Sequence, residues 1–102
     1  MPDVTINAVA FQRHGLWVAQ CLEYNLVSCA ESLEELPNEL LSQVLGQIKA
    51  DKESGQEPFW AFKPAPQHYW DMFAQAKTSP PLKPRKVVPA VDTRLFPMPA
   101  AA

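Results

Sequence analysis

The sequence predicts a small α+β domain, in which an antiparallel sheet of three or four strands carries one long amphipathic helix on one face. Three observations support this fold class. An apolar, β-branched run opens the chain, two further apolar runs follow it across short connections, and a pattern of helical period begins directly after them. The expected order of elements is β-β-β-α-β, followed by a short helix.

Three short strands are predicted at the start, over residues 4–11, 16–24 and 26–30. Residues 4–11 are mostly apolar and β-branched, as in a buried strand. The first connection is the tight segment ending in Gly15, and Asn25 supplies the second turn. Strands joined by connections this short pair as an antiparallel meander.

A long helix is predicted over residues 32–50. Ser32 is a good N-cap, and Glu35 follows three residues later in the capping-box pattern. Pro37 lies in the first turns, where a missing N–H group is tolerated, so the helix is expected to continue through it. One face carries an apolar stripe, which predicts the helix core as Leu33, Leu36, Leu40, Val44 and Ile48.

Two more elements are predicted after a polar loop. Residues 59–62 have the composition of a fourth strand, and the flanking Pro58 and Pro64 place it at an edge of the sheet. Residues 66–77 are expected to form a second helix, with Pro66 at its first position.

Aromatic side chains are concentrated after residue 58 and give the candidate interaction residues. Core packing or a subunit interface explains them best, because aromatic side chains dominate the energetics of both settings. Stacking on nucleic-acid bases is the competing interpretation, although few basic residues lie nearby. The candidates are Phe59, Trp60, Phe62, Tyr69, Trp70, Phe73 and, further along the chain, Phe96.

The chain is divided into residues 1–63 as the β-β-β-α-β domain, 64–77 as a short aromatic helix and 78–102 as a proline-rich basic tail. The tail favours an extended conformation and is either structureless or docked. Its apolar residues favour docking on a surface of its own chain or of a second subunit. The side chains expected to be buried are Val87, Val91, Leu95 and Phe96.

Charge is distributed unevenly along the chain. Residues 1–77 carry ten acidic and five basic side chains, whereas residues 78–102 carry one acidic and four basic side chains. An acidic body argues against a large nucleic-acid interface, because neutralisation of phosphates dominates such affinities. It favours either a basic partner, whose association it would steer, or a role of the charge in solubility alone.

Composition also excludes several classes of protein. Two cysteines, Cys21 and Cys29, are too few for a disulfide scaffold, and both are interpreted as buried, reduced thiols. No apolar run has the length of a membrane helix, and the start at Met1 lacks the pattern of a secretory signal. The expected location is the cytoplasm, with no membrane partner.

The sequence predicts no catalytic residue, no metal ligand and no cofactor, and therefore no enzyme. A two-metal nuclease site needs several converging carboxylates, but Asp3 and Glu23 are the only acids on or beside the first two strands. His14 and His68 do not have the spacing of a zinc motif. Three scattered glycines cannot form a phosphate-binding loop.

The segment from Val18 to Leu36, VAQCLEYNLVSCAESLEEL, resembles the HicB antitoxin family. That family shows a Gly-aromatic-Val-Ala strand, a second strand ending near Ser-Gln-Gly, and Thr-Leu-Glu-Glu-Ala at the start of a helix. The sequence departs from this pattern at Cys29-Ala30 and Leu36-Pro37. The matching positions are Gly15, Trp17, Val18, Ala19, Ser28, Ser32, Leu33, Glu34 and Glu35.

The resemblance implies a partial ribonuclease-H-like fold that binds and occludes a small basic ribonuclease toxin, HicA. Residues 64–102 contain no recognisable DNA-binding segment, so operator binding is not implied. Two alternatives remain: a nucleic-acid-binding protein that uses the basic tail and the aromatic segment, or a structural homo-oligomer with no toxin partner. A dimer or higher oligomer is expected in either setting, because the chain has a sheet edge and many aromatic side chains to cover.

Overall fold

The computed structural model describes residues 3–99. The ends of the predicted first domain and of the tail, residues 1–2 and 100–102, lie outside the described residues. None of the helices in the described range is long and apolar enough to cross a membrane. The elements are β1 (Val4–Arg13), β2 (Leu16–Cys21), β3 (Val27–Ala30), α1 (Leu36–Glu53), α2 (Gln67–Ala76) and β4 (Val91–Pro97).

The four strands form one mixed sheet in the order β3-β2-β1-β4. β1 pairs with β2 and β2 pairs with β3 in antiparallel fashion, which confirms the predicted meander. β4 is parallel to β1, with Val4 opposite Val91. The fold class α+β is therefore confirmed, but the prediction of a purely antiparallel sheet is wrong. α1 and α2 lie between β3 and β4 in the chain, and after them β4 runs in the same direction as β1.

The connection between β1 and β2 is a two-residue hairpin. Arg13 pairs with Leu16, and the intervening His14 and Gly15 have φ values of 52° and 79°. Two successive positive φ values fit a type I′ turn, whose twist matches that of the flanking strands.

β2 ends at Cys21, three residues earlier than the sequence predicts. The reason is a side chain that replaces the next strand partner. The Glu23 carboxylate accepts the backbone N–H of Asn7 at 2.8 Å and the side-chain amide of Asn7 at 2.7 Å. The chain can therefore turn away from β1 without leaving the Asn7 amide unpaired.

α1 begins at Leu36, four residues later than predicted. The hydroxyl of Ser32 accepts the Glu35 N–H at 3.2 Å, but it closes a separate turn that precedes the helix. The N–H groups of Asn38 and Glu39 donate to the Glu35 carbonyl and form the first helical hydrogen bonds. Pro37 lies in this first turn, where the lack of an N–H group leaves no helical hydrogen bond unmade.

At its other end α1 continues to Glu53, three residues beyond the predicted end. Gly55 has a φ of 74° and donates its N–H to the Lys52 carbonyl at 3.0 Å. Gln56 donates to the Asp51 carbonyl at 2.8 Å. This left-handed glycine cap satisfies the last carbonyls and ends the helix.

The predicted strand at residues 59–62 is wrong. These residues form a turn, in which Phe59 has a φ of 63° and Phe62 donates its N–H to the Phe59 carbonyl at 3.0 Å. A positive φ is incompatible with a strand. The fourth strand is instead β4, in the segment that the sequence assigns to the tail.

α1 and α2 lie on opposite sides of the sheet, which we call the α1 face and the α2 face. Leu36, Leu40 and Val44 are fully buried on the α1 face, whereas Leu33 and Ile48 are only partly buried beside them. The α1-face core consists of Ile6, Ala8, Ala10, Ala19, Cys21, Leu36, Leu40, Val44, Phe59 and Leu95. The smaller α2-face core is formed by Val9, Ala76 and Phe96, with Phe11, Tyr69, Met72, Phe73 and Met98 partly buried around them.

The tail is docked through β4. Leu95 is fully buried and Phe96 is 8% exposed, as expected, whereas Val91 is only partly buried. The expected burial of Val87 is wrong, because it is 83% exposed in the loop that precedes β4. Leu82 runs beside β4 and exchanges two backbone hydrogen bonds with Leu95, at 2.7 and 3.1 Å.

Candidate interaction site

The structure separates the seven aromatic candidates by exposure. Phe59 is buried in the α1-face core, and Phe62 packs against that core. Phe96, Tyr69 and Phe73 belong to the α2-face core or its rim. Trp70 is partly buried, and its indole N–H donates to the Ala65 carbonyl at 3.2 Å. The remaining candidate, Trp60, is 60% exposed.

The ring faces on the α2 side are largely occupied by other rings. Tyr69 is stacked on Phe11 at 6.1 Å between ring centroids. Phe73 meets Phe96 edge to face at 5.2 Å. Base stacking needs a free ring face. These contacts therefore favour packing over nucleic-acid binding for Tyr69 and Phe73.

Trp60 is presented by a tight turn, residues 57–62, which we call the Trp60 turn. The Trp60 N–H donates to the Glu57 carbonyl at 3.2 Å, and the turn closes through the bond from Phe62 to Phe59. Phe59 adopts its positive φ inside this turn. A bulky residue persists in that conformation only where the surroundings hold it there.

Asp51 is the residue that holds the Trp60 turn. It lies on the buried side of α1, with 6% of its surface exposed. One carboxylate oxygen accepts the Phe59 N–H at 2.7 Å, and the other accepts the Gln47 side-chain amide at 3.0 Å. A buried carboxylate bonded to a backbone N–H is a strong, directional contact. It fixes the turn to the end of the helix.

Sequence reasoning missed Asp51, although a signal was present. Asp51 lies seven residues after Val44 and so continues the buried stripe of α1. An acidic residue in an apolar stripe is unusual and indicates a specific partner. The identity of that partner, the Phe59 N–H, depends on a loop whose path the sequence does not give.

Stacked rings support the same turn from the sheet side. The rings of Tyr24 and Phe59 are parallel within 11° and their centroids are 4.4 Å apart. Phe62 meets Phe59 edge to face at 5.6 Å. Trp60 is thus presented outward by a turn in which the neighbouring rings of Phe59 and Phe62 are packed into or against the core.

A second surface feature is a group of exposed carboxylates at the start of α1. Four acidic residues lie within nine positions there, and none forms an ion pair within residues 3–99. They concentrate the negative charge of the body at one end of the helix. The group consists of Glu31, Glu34, Glu35 and Glu39.

The acids near the sheet are engaged in structural contacts. Glu23 is bonded to Asn7, and Asp51 to Phe59. In the described part of the chain, no three His, Cys, Asp or Glu side chains are grouped to hold a metal ion. The arrangement can therefore bind and orient backbone, but its carboxylates do not converge on a common point.

The two cysteines differ in environment. Cys21 is buried, and burial, together with the nearby Glu23 carboxylate, raises the pKa of its thiol to about 12. Cys29 lies exposed on β3, so the prediction that both thiols are buried is wrong for Cys29. The alternation of side chains along β3 turns Cys29 to the α2 face, at a place that α2 does not reach.

Basic side chains of the tail are partly neutralised within the chain. Lys83 and Arg94 both form ion pairs with Asp92. The hydrogen bond from Lys83 is the main cause that lowers the pKa of Asp92 below its ordinary value of 3.8. Lys86 lines a shallow groove of about 370 Å³ beside these residues.

Comparison with known proteins finds no match among family models, curated proteins or solved structures. The resemblance to the HicB antitoxins rests on sequence positions between Gly15 and Glu35, which lie in the β1–β2 turn, in β2 and β3 and in the turn before α1.

Proposed function

We propose that this protein is a non-catalytic binding module of the HicB antitoxin type, which binds and occludes a small basic ribonuclease toxin. The observation that carries the proposal is Trp60, 60% exposed on a turn that is fixed by Asp51. Tryptophan is enriched among the residues that dominate protein interfaces. A residue held in place before binding loses little conformational freedom when the partner arrives.

Charge supports a basic partner. The exposed carboxylates at the start of α1, including Glu34 and Glu39, have no ion-pair partner within residues 3–99. Unpaired surface charges of one sign steer partners of the opposite sign and raise the association rate. We expect association with the toxin to slow as salt concentration rises.

A binding role rather than catalysis is favoured by what the carboxylates do. Glu23 and Asp51 accept backbone hydrogen bonds that shape the fold. A carboxylate engaged in this way is held away from the role of a general base or a metal ligand. The toxin is expected to be inhibited by coverage of its surface, with no covalent change.

The proposal is tested by co-expression with a HicA-like toxin from the same genome. We expect restored growth and co-purification of the two proteins. Trp60→Ala should weaken the complex by about 30-fold or more, in line with a loss of ~2 kcal/mol at an interface hot spot. Titration calorimetry on the purified proteins measures this change.

Val87→Ala is the matched control, because Val87 is also an exposed apolar residue, on the loop before β4. It should leave the affinity unchanged. Retention of RNA that is lost at moderate salt, with no binding of the toxin, would instead support the nucleic-acid alternative. If Trp60→Ala bound the toxin as tightly as the wild type does, Trp60 would not lie in the interface.

A further inference from the structure

The two edges of the sheet are treated differently by this chain. The β4 edge is covered by the tail, because Leu82 exchanges two backbone hydrogen bonds with Leu95. The β3 edge has no such cover within residues 3–99. An open strand edge is a template for another strand, and soluble proteins usually block it.

The backbone groups at the β3 edge can be identified. Cys21 donates its N–H to the Leu26 carbonyl at 2.9 Å, so the Leu26 carbonyl and the backbone groups of Ser28 face β2. Val27 and Cys29 then turn theirs outward. No hydrogen bond within residues 3–99 reaches the outward groups of these two residues.

Two of the usual devices that block an edge, charged side chains and proline, are missing from β3, which has four residues. None of its residues, from Val27 to Ala30, is charged or is proline. Val27 is 44% exposed, and Leu16, in the adjoining strand on the same face, is 41% exposed. The edge therefore offers unpaired hydrogen-bonding groups beside an uncovered apolar strip.

We propose that two copies of this chain pair through β3, antiparallel and related by a two-fold axis, to form a continuous eight-stranded sheet. Residues that turn their backbone groups outward pair with each other, and the register that pairs all four of them places Val27 of each copy opposite Cys29 of the second copy. Each of these two pairs exchanges two backbone hydrogen bonds. The β4 edges, covered by their own tails, lie at the outer ends and stop further growth.

The hydrogen bond of Asn25 limits the paired segment in this register. Glu31 of one copy comes to the level of Asn25 of the second copy, but the Asn25 N–H is already bonded to the Lys63 carbonyl at 2.7 Å. Pairing between the copies therefore stops at Val27. The two-fold axis passes near Ser28 and keeps the two Glu31 side chains apart.

The exposed Cys29 thiols of the two copies give a direct test. In this register the Cys29 residues of the two copies are diagonal neighbours, with Cα atoms about 7–8 Å apart. A short bis-maleimide should link them in the wild-type protein and give a covalent dimer. Cys29→Ser should abolish the link. Cys21→Ser should retain it, because the Cys21 thiol is buried.

The second test measures mass in solution for the full chain, by light scattering from low to high micromolar concentration. We expect twice the chain mass of 11.4 kDa for the wild type. Val27→Lys should give the single-chain mass, because a charge then lies in the new sheet. Val87→Lys makes the same change at an exposed position far from β3 and should leave the dimer intact.

Three results would overturn the proposal: a wild type of 11.4 kDa throughout, an unchanged dimer in Val27→Lys, or cross-linking that survives Cys29→Ser. A melting curve of Val27→Lys separates loss of the dimer from loss of the fold. The proposal is independent of toxin binding, so Trp60→Ala should leave the dimer mass unchanged.

Discussion

The two faces of the sheet are covered in different ways. On the α1 face a helix of 18 residues packs mainly aliphatic side chains against the sheet, and Leu40 and Val44 are fully buried. On the α2 face a helix of 10 residues packs mainly aromatic side chains, and Ala76 is its one buried residue. Leu16 and Val27, on the same side, stay exposed because the short helix does not reach them.

The difference shows that the two faces of the sheet bury their apolar surface to different extents. Aliphatic side chains in a fully enclosed layer supply the main core, since burial away from water is complete there. The α2 face leaves part of the sheet open, where an added partner can still bury apolar surface. Substitutions should therefore lower the stability of the protein most on the α1 face, less on the α2 face and least at exposed contacts.

The largest effect is expected from Leu40→Ala. Leu40 is fully buried in the α1-face core, so truncation removes its contacts and leaves a cavity. The free energy of unfolding should fall by roughly 2–5 kcal/mol, measured by denaturant titration. A change below about 1 kcal/mol would show that the α1 face is not the main core.

Phe96→Ala should have a smaller but still large effect. Phe96 anchors β4 under Phe73 on the partly open α2 face, where neighbouring rings can move into the space. We expect a loss of about 2–4 kcal/mol, together with faster hydrogen exchange in residues 91–97. If exchange in β4 stays as slow as in the wild type, Phe96 does not anchor the tail.

Asp51→Ala tests the contact between α1 and the Trp60 turn. It leaves the buried Phe59 N–H without an acceptor, which should lower stability by about 1–3 kcal/mol. The tryptophan fluorescence spectrum should change as the turn loosens. Glu53→Ala, an exposed acidic residue on the same helix, is the control and should change neither property.

Lys83→Ala should have the smallest effect, a few tenths of a kcal/mol, because its ion pair with Asp92 is exposed. Lys83 lowers the pKa of Asp92, so the pair adds stability only while Asp92 is ionised in the native state. The contribution is present above the ordinary pKa of 3.8 and is lost as pH falls through the lower native value. The free energies of unfolding of the wild type and of Lys83→Ala should therefore differ at neutral pH and become equal in acid, as measured by denaturant titration at both pH values.

Local signals in the sequence predicted the elements that depend on near neighbours. The β1–β2 hairpin follows from His14 and Gly15, and α2 follows from Pro66 and the aromatic spacing. The burial of Leu40 follows from its helical period. These features need only contacts within a few residues, so sequence periodicity and turn residues are sufficient to predict them.

The features that the sequence did not predict depend on distant contacts. β4 turns Val91, Thr93 and Leu95 to one face and Asp92 and Arg94 to the other, but six prolines in residues 78–102 obscured this short pattern. Its parallel partner lies at the other end of the chain. Phe59 has the composition of a strand residue, yet a carboxylate from α1, Asp51, sets its backbone in a turn. The sequence thus indicated Trp60 as a candidate, but it did not predict the bond from Phe59 to Asp51 that holds the Trp60 turn.

The pairing of β4 with β1 also affects synthesis of the protein. β1 emerges from the ribosome before the other elements described here, but its partner residues, Val91–Pro97, emerge only after both helices have been made. Until then one edge of β1 remains open in a nascent chain that already exposes Ile6 and Val9. Strand pairing between distant segments is slow, and open edges favour aggregation during that delay. Translation that stops before Val91 should therefore yield chains that aggregate, and fast completion of the last strand protects the first.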